Sequence, residues 1–219
     1  MNRPFRKAII FDMDNTLLQS KIDFLAMKRA IFQLWVENGI CDPALSWENH
    51  TASQLIEIGR RSEKMTAELE AHMWEAVTAI EKAGMHQAVL EANAAEILEQ
   101  LHQNYYLFIL TNNAYAAAQE ALKETEIIHY FDEVVAREQM TTLKPSPAGI
   151  TYILGRYPDL PASAWTMIGD SWIDGKAAQD GRVRFIAYNG NPLDMERQGV
   201  APQAFISDLR ELLTLDLGE

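Results

Sequence analysis

The sequence is poor in cysteine, in basic residues and in long apolar runs. Cys41 is the only cysteine among 219 residues, so neither an intrachain disulfide nor a cysteine-based zinc site can form. Lys and Arg number 19 against 31 Asp and Glu, which gives a formal net charge of −12. This excess of acid argues against binding a nucleic-acid backbone or an anionic membrane surface. An anionic substrate must therefore meet local positive charge.

No apolar stretch approaches the roughly 20 residues of a membrane span. The apolar run that follows the basic N-terminus ends at Asp12 after a few residues, which excludes the apolar core of a signal peptide. Internal repeats, low-complexity segments and Gly/Ser-rich linkers are also absent. With 48% hydrophobic residues, the chain can bury a substantial core without disulfides. We expect a globular protein of the cytoplasm.

Five short apolar runs predict strands that are buried on both faces. They cover residues 8–11, 106–110, 133–136, 165–168 and 183–187. Segments with helical periodicity separate most of these runs. Strands that alternate with helices form right-handed crossover units around a parallel sheet. The sequence therefore predicts an α/β fold with a doubly wound, Rossmann-like parallel sheet.

The alternation of strands and helices stops between residue 18 and about residue 87. Apolar residues in this stretch recur at intervals of three and four, which is typical of helices with one buried face. Gly39 and Gly84 lie where these helices are expected to end. We interpret the stretch as an all-helical domain inserted after the first strand. The predicted boundaries are 1–18 and 88–219 for the α/β core domain and 19–87 for the insertion.

Residues that can carry chemistry follow the predicted strands. Asp12 and Asp14 come two residues apart directly after the first strand, and this spacing points both side chains to one side of an extended chain. The groups associated with the later strands are Thr111 with Asn112, then Lys144, then Asp170 with Asp174. Open parallel sheets bind ligands beyond the carboxyl ends of their strands. We therefore expect these side chains to form one site.

In these motifs the chain resembles the haloacid dehalogenase superfamily over nearly its whole length. The motifs read DMDNT at 12–16, TN at 111–112, a lysine at 144 within LKPSP, and GDSWID at 169–174. The resemblance implies a haloacid-dehalogenase-like core whose first strand lies at the centre of the sheet, between the second and the fourth. It also implies that the helical insertion is a cap of the first type. Such a cap is expected to close over the substrate, exclude water and select the leaving group.

Four carboxylates in one small volume repel one another, which raises their pKa values unless cations are present. Lys144 supplies one positive charge, and a hard divalent ion can supply the rest. Mg²⁺ suits a cluster without His or Cys, because it prefers oxygen ligands and retains bound water. By the resemblance, its ligands are the Asp12 carboxylate, the Asp14 backbone carbonyl and Asp170. Asp174 then holds metal-bound water or Lys144.

A site of this kind suits phosphoryl transfer. Asp12 is expected to attack phosphorus and form an aspartyl-phosphate. Asp14 is expected to protonate the leaving alkoxide and then to deprotonate the hydrolytic water. The groups expected to bind the phosphoryl oxygens are Thr111, Lys144 and the backbone N–H groups around Met13, Asn112 and Asn113. The dehalogenase branch lacks a carboxylate at the position of Asp14, so Asp14 favours a phosphoryl substrate over a halogenated one.

The sequence thus predicts a Mg²⁺-dependent phosphatase that hydrolyses a small phosphorylated metabolite, with an activity like that of phosphoglycolate phosphatase. Two alternatives stay open at this point. A phosphomutase would keep the same core but return the phosphoryl group to its substrate, and it would need an acid or base in the cap. A non-catalytic interaction protein could retain the fold, although a scaffold has no physical need for four clustered carboxylates. The sequence pattern specifies neither the ester nor the oligomeric state.

Overall fold

The computed structural model describes residues 7–217. The first six and last two residues of the predicted core domain, which include the basic residues Arg3 and Arg6 before the first apolar run, lie outside this range. Within it, every helix is too short or too polar to cross a lipid bilayer. Eight strands are present among the described residues: β1 Lys7–Phe11, β2 Leu18–Gln19, β3 Val89–Leu90, β4 Tyr105–Leu110, β5 Glu133–Val135, β6 Trp165–Gly169, β7 Arg184–Tyr188 and β8 Ala204–Ile206.

Six of these strands form one parallel sheet in the order β5-β4-β1-β6-β7-β8. β1 lies between β4 and β6, with Ile9 opposite Leu107 on one side and opposite Thr166 on the other. Residues Ala8–Phe11 are completely buried, as expected for a strand covered on both faces. The predicted sheet order, with the first strand flanked by the second and fourth, is confirmed.

Eight α-helices accompany the strands within residues 7–217: α1 Phe24–Glu37, α2 Ala52–Arg60, α3 Ala67–Met85, α4 Ala94–Leu101, α5 Tyr115–Glu124, α6 Ala148–Arg156, α7 Trp172–Asp180 and α8 Pro192–Arg197. Short 3₁₀ turns occur at Trp47–Asn49, Ile128–Tyr130, Arg137–Gln139, Ala162–Ala164 and Leu209–Leu213. Helices thus alternate with strands from β3 onwards, whereas α1, α2 and α3 follow one another without an intervening strand. The predicted α/β fold class with an all-helical insertion is confirmed.

The described chain forms two compact units. The first comprises the residues up to Ser20 and from Gln87 onwards, and the second is Lys21–His86. Within the first unit, β2, which precedes α1, pairs with β3, which follows α3, and the two strands form an antiparallel ribbon. The backbone N–H of Glu91 extends this ribbon by donating to Leu17 at 2.8 Å.

Close helix packing in the second unit depends on glycine. A Cβ at Gly59 would lie 2.2 Å from the ring of Trp35, whose indole N–H donates to the carbonyl of Leu55 at 2.8 Å. A Cβ at Gly84 would lie 2.4 Å from the Cα of Ile22. α3 ends at Met85, one residue after Gly84, so the predicted end of this helix is confirmed to within one residue. Gly84 itself lies where another backbone passes closely. Gly39 does follow the end of α1, with a φ of 63° that glycine adopts without strain.

Candidate active site

The carboxyl ends of β1, β4 and β6 bring the chemistry-bearing residues together at one edge of the sheet. Asp12 follows β1 directly and continues its pairing, since its N–H donates to the carbonyl of Ile168 at 2.8 Å. Thr111 follows β4, and Asp170 follows β6. The strand order reverses at β1, which is where doubly wound sheets open a crevice for ligands.

Lys144 lies at the centre of this cluster. Its ammonium group donates to Oδ1 of Asp12 at 2.6 Å, to Oδ1 of Asp174 at 2.7 Å and to the carbonyl of Leu110 at 2.8 Å. The residue is only 2% exposed, so water cannot replace these acceptors. An ammonium group has three N–H donors, and each has a partner. Lys144 therefore links the first and last acids of the cluster.

The side chain of Asn112 holds the backbone of Lys144 in place. Its Oδ1 accepts from the N–H of Lys144 at 2.8 Å, and its Nδ2 donates to the carbonyl of Lys144 at 3.0 Å. These two bonds fix a loop residue onto the end of β4. The sequence predicts that Asn112 binds substrate through its backbone N–H, but no pattern in the sequence indicates that its side chain holds the lysine.

Asp174 is placed by a glycine and by the start of α7. A Cβ at Gly169 would lie 2.6 Å from the Cβ of Asp174, so only glycine at the end of β6 admits this side chain. Ser171 caps α7 and accepts from the N–H of Ile173 at 3.2 Å, while its own N–H donates to Oδ2 of Asp174 at 3.2 Å. Both carboxylate oxygens of Asp174 are therefore held, one by Ser171 and one by Lys144.

The electrostatics of the cluster favour an additional cation. Burial raises the pKa of Asp12 well above its usual value, and Lys144 opposes this only in part. Burial and the neighbouring Asp174 raise the pKa of Asp170 to about 7. Burial would lower the pKa of Lys144, but its contacts with the two acids outweigh this effect and raise it. Asp12 and Asp170 thus have raised pKa values even though Lys144 beside them is charged. The positive charge of one lysine is therefore too small to balance the carboxylates of the cluster.

The donor set fits a hard divalent cation. Asp12, Asp170 and Asp174 each offer one carboxylate oxygen, and these three oxygens lie within 4.8 Å of one another. Oxygen is the ligand type that Mg²⁺ and Ca²⁺ select. The family resemblance places Asp12 and Asp170 among the ligands and Asp174 outside them. In the structure the carboxylate of Asp174 lies near enough to those of Asp12 and Asp170 to be part of the same cluster of potential metal ligands.

Asp14 contacts the side chain of Asn113. Nδ2 of Asn113 donates to Oδ2 of Asp14, whereas Oδ1 of Asp14 is buried and has no hydrogen-bond partner among residues 7–217. Burial raises the pKa of Asp14, and the polar side chains of Ser20 and Asn113 oppose that rise. Thr111 is 1% exposed, and its Oγ1 accepts from the N–H of Asn113 at 3.2 Å.

The sequence predicts that backbone N–H groups at Met13, Asn112 and Asn113 bind phosphate. The N–H of Asn113 already has a partner within the chain, the hydroxyl of Thr111. Met13 is completely buried in the turn after β1, where its carbonyl accepts from the N–H groups of Leu17 and Leu18, both at 3.0 Å. The turn is therefore rigidly tied to the segment that follows it.

Three contributions to the site go beyond the sequence predictions. They are the side chains of Asn112 and Asn113, described above, and the hydroxyl of Thr16, which is fully buried and donates to Oδ2 of Asp12 at 3.5 Å. The only signal is position, because all three residues lie within the DMDNT and TNN segments. Sequence adjacency cannot show where their side chains point.

The family model for haloacid dehalogenase-like hydrolases matches residues 9–188. The chain belongs to this family. It is therefore a haloacid dehalogenase-like hydrolase, and the matched range contains every residue of the cluster around Lys144.

Individual relatives match over almost the full length of this hydrolase. The phosphoglycolate phosphatase of Aliivibrio fischeri is 28% identical, with 91% of this chain and 93% of the relative covered. The phosphoglycolate phosphatase of Mannheimia succiniciproducens is 27% identical, with 98% and 100% covered.

Solved structures share the fold of the hydrolase. The haloacid dehalogenase-like family protein SP0104 from Streptococcus pneumoniae superposes with a TM-score of 0.63 at 21% identity, covering 95% of this chain and 97% of that one. The HAD-hydrolase YfnB from Bacillus subtilis, solved with bound magnesium, has a TM-score of 0.60 at 21% identity and the same coverage.

Proposed function

We propose that this haloacid dehalogenase-like hydrolase is a Mg²⁺-dependent phosphatase that hydrolyses a small-molecule phosphate monoester through a phosphorylated Asp12. The observation that carries the proposal is the buried contact between Asp12 and Lys144 at 2.6 Å, with Asp170 and Asp174 beside it. This arrangement joins a carboxylate nucleophile to positive charge that can neutralise phosphoryl oxygens.

Asp12 is the proposed nucleophile. Lys144 holds one carboxylate oxygen and Thr16 approaches the other, so the side chain has a fixed direction. One oxygen of Asp12 attacks phosphorus, the new O–P bond forms, and the bond from phosphorus to the ester oxygen breaks. A carboxylate is a weak nucleophile, so positioning and charge neutralisation must lower the barrier.

Asp12 and Asp170 would hold Mg²⁺ together with the backbone carbonyl of Asp14, and Asp174 would orient Lys144 beside them. When bound, Mg²⁺ supplies positive charge to the phosphoryl oxygens. Support for this assignment comes from the all-oxygen donor set and from the magnesium-bound relative from Bacillus subtilis.

Asp14 is the proposed general acid and base. Burial raises its pKa, which favours the protonated form that the departing ester oxygen needs. The proton moves from Asp14 to the alkoxide as the ester bond breaks. Asp14 then takes a proton from water while that water attacks phosphorus, which releases inorganic phosphate and restores Asp12. Thr111 would donate its hydroxyl proton to a phosphoryl oxygen, since its Oγ1 accepts rather than donates within the chain.

The substrate is proposed to be a small organic phosphate of the phosphoglycolate type. Support comes from relatives named phosphoglycolate phosphatase that match nearly the whole chain. That the helical unit Lys21–His86 selects the ester stays a prediction. The phosphomutase and the non-catalytic protein remain outcomes of the test below.

The decisive experiment measures release of p-nitrophenol and phosphate from p-nitrophenyl phosphate, with Mg²⁺ or with EDTA. The wild type should turn over only with Mg²⁺. Asp12→Asn should abolish turnover with an unchanged circular dichroism spectrum, and Asp159→Asn, the same change at an exposed loop position, should not. Mass spectrometry of quenched Asp14→Asn should find a phosphoryl group on Asp12.

Each alternative gives a different result. A rate near that of the wild type in Asp12→Asn would exclude Asp12 as nucleophile. No turnover of a phosphometabolite panel with any divalent metal would favour the non-catalytic protein. An isomeric phosphate ester formed in place of free phosphate would favour the mutase.

A further inference from the structure

Asn113 is held from three directions beside the proposed acid and base. It follows Thr111 and Asn112 beyond the end of β4 and is 5% exposed. Its backbone N–H donates to Thr111 at 3.2 Å, and its backbone carbonyl accepts from the N–H of Arg137 at 3.1 Å. With both backbone groups fixed, the direction of its side chain is set by the fold.

That side chain reaches across the site to Asp14. Nδ2 of Asn113 donates to Oδ2 of Asp14, a contact between residues 99 positions apart in the sequence. Oδ1 of the same carboxyl is buried without a partner in the described part of the chain. Ser20 also acts on this carboxyl, but its hydroxyl can accept as well as donate, so it excludes a proton from neither oxygen. The two oxygens of Asp14 are therefore unequal: Oδ2 faces a group that can only donate, whereas Oδ1 can hold a proton.

We propose that Asn113 is a positioning residue that confines the transferable proton of Asp14 to Oδ1. An amide NH₂ group can only donate. A proton on Oδ2 would place two donors against each other, whereas a proton on Oδ1 leaves the hydrogen bond from the Asn113 amide to Oδ2 intact. Asn113 thus aims Asp14 so that its proton leaves toward the substrate oxygen and returns from water at the same atom. This inference rests on the proposed phosphatase function.

Without the amide, the carboxyl of Asp14 can rotate and carry its proton on either oxygen. The loss should matter most where the leaving oxygen needs a proton. Benzyl phosphate departs as a strongly basic alkoxide and depends on the acid, whereas p-nitrophenyl phosphate departs as a stabilised phenolate and does not. Both substrates carry a single aromatic ring, so the comparison isolates leaving-group basicity.

The test compares kcat/KM for these two substrates, since kcat/KM reports the steps up to phosphorylation of Asp12. In Asn113→Ala and in the similarly sized Asn113→Leu, kcat/KM for benzyl phosphate should fall on the order of 10²-fold, the cost of misplacing a catalytic group by about 1 Å. The value for p-nitrophenyl phosphate should stay within about threefold. Asp14→Asn should show the same selectivity, and Asn104→Ala, at an exposed position, should change neither value.

Equal losses for both substrates would mean that Asn113 only shapes the loop after β4, and no loss for either would mean that Asp14 needs no positioning. Either result overturns the inference. If neither Asn113→Ala nor Asn113→Leu folds, Asn113 acts on the fold rather than on Asp14, and the inference also fails. Failure of the phosphatase proposal is distinct, because the wild type would then turn over neither substrate.

Discussion

Replacing Lys144 by methionine should strongly destabilise the α/β unit when no metal is bound. The ammonium group makes all three of its hydrogen bonds to buried acceptors, two of them carboxylates at 2.6 Å and 2.7 Å. Removing one partner of a buried ion pair leaves uncompensated charge and typically costs about 3–5 kcal/mol. Here two acids lose the same cation, so we expect a loss in that range rather than below it.

The exposed pair formed by Lys176 and Asp180 provides the control. Its charged atoms are 3.0 Å apart, but the side chains are 42% and 43% exposed, and such pairs contribute only about 0.2–1 kcal/mol. Urea unfolding in EDTA, followed by circular dichroism, gives the free energy of unfolding for Lys144→Met and Lys176→Met. Adding Asp174→Asn to Lys144→Met should recover part of the loss, because one of the stranded acids is then neutral.

A cost below about 1 kcal/mol for Lys144→Met, or one equal to that of Lys176→Met, would refute the reasoning. It would mean that the acids of the cluster relax or bind protons as readily without the lysine as with it. In that case Lys144 could not be the group that organises the site.

Three further predictions follow from packing, ionisation and metal binding. Gly84→Ala should destabilise the helical unit by about 1–3 kcal/mol because its Cβ would meet a neighbouring backbone at 2.4 Å. Gly155→Ala, whose Cβ would have no atom within 4 Å, should instead stabilise its helix by about 0.4–1 kcal/mol. Equal shifts in melting temperature for the two variants would contradict this packing argument. Burial and the hydrogen bond to Glu91 raise the pKa of Tyr188 from 10.0 to about 12. The contribution of this shift to stability is therefore complete below pH 10 and is lost as the pH rises to 12. An ultraviolet tyrosinate titration should lack the late transition in Tyr188→Phe, and a titration identical to that of the wild type would exclude Tyr188 as its source. Mg²⁺ at 100 times its Kd should stabilise the wild type by about 2.7 kcal/mol, and a thermal shift of the same size in Asp170→Asn would exclude Asp170 as a ligand.

The sheet could be predicted from the sequence because its strands are fully buried. A continuous apolar run as short as the one before Asp12 is typical of a strand covered on both faces, since a buried helix needs a longer run. Of the ten ends of the five predicted strands, six differ from the observed ends by one residue and four coincide with them. β8, Ala204–Ile206, was not predicted. It is a three-residue edge strand whose Phe205 is 48% exposed, and such a segment has no distinctive pattern.

That the acids of the cluster lie close together could also be predicted. The segments that carry them follow buried strands, and the carboxyl ends of parallel strands lie at one edge of the sheet. The hydrogen bonds within the site could not be predicted. Asn112 contacts a residue 32 positions away, and Asn113 contacts one 99 positions away. These contacts depend on side-chain directions that only the folded chain defines. The close approach of Ile22 to Gly84, in the last turn of α3, could not be predicted for the same reason, because it is a tertiary contact.

The pairing of β2 with β3 makes the helical unit topologically equivalent to the loop of a β-hairpin. A hairpin is closed by as few as two residues, and each doubling of a flexible connection costs only about 0.6 kcal/mol in closure entropy. The ribbon fixes where the chain departs and returns, whatever lies between. Insertions, deletions or exchange of the helices can therefore accumulate during evolution while the strands that carry Asp12 and Asp170 keep their register.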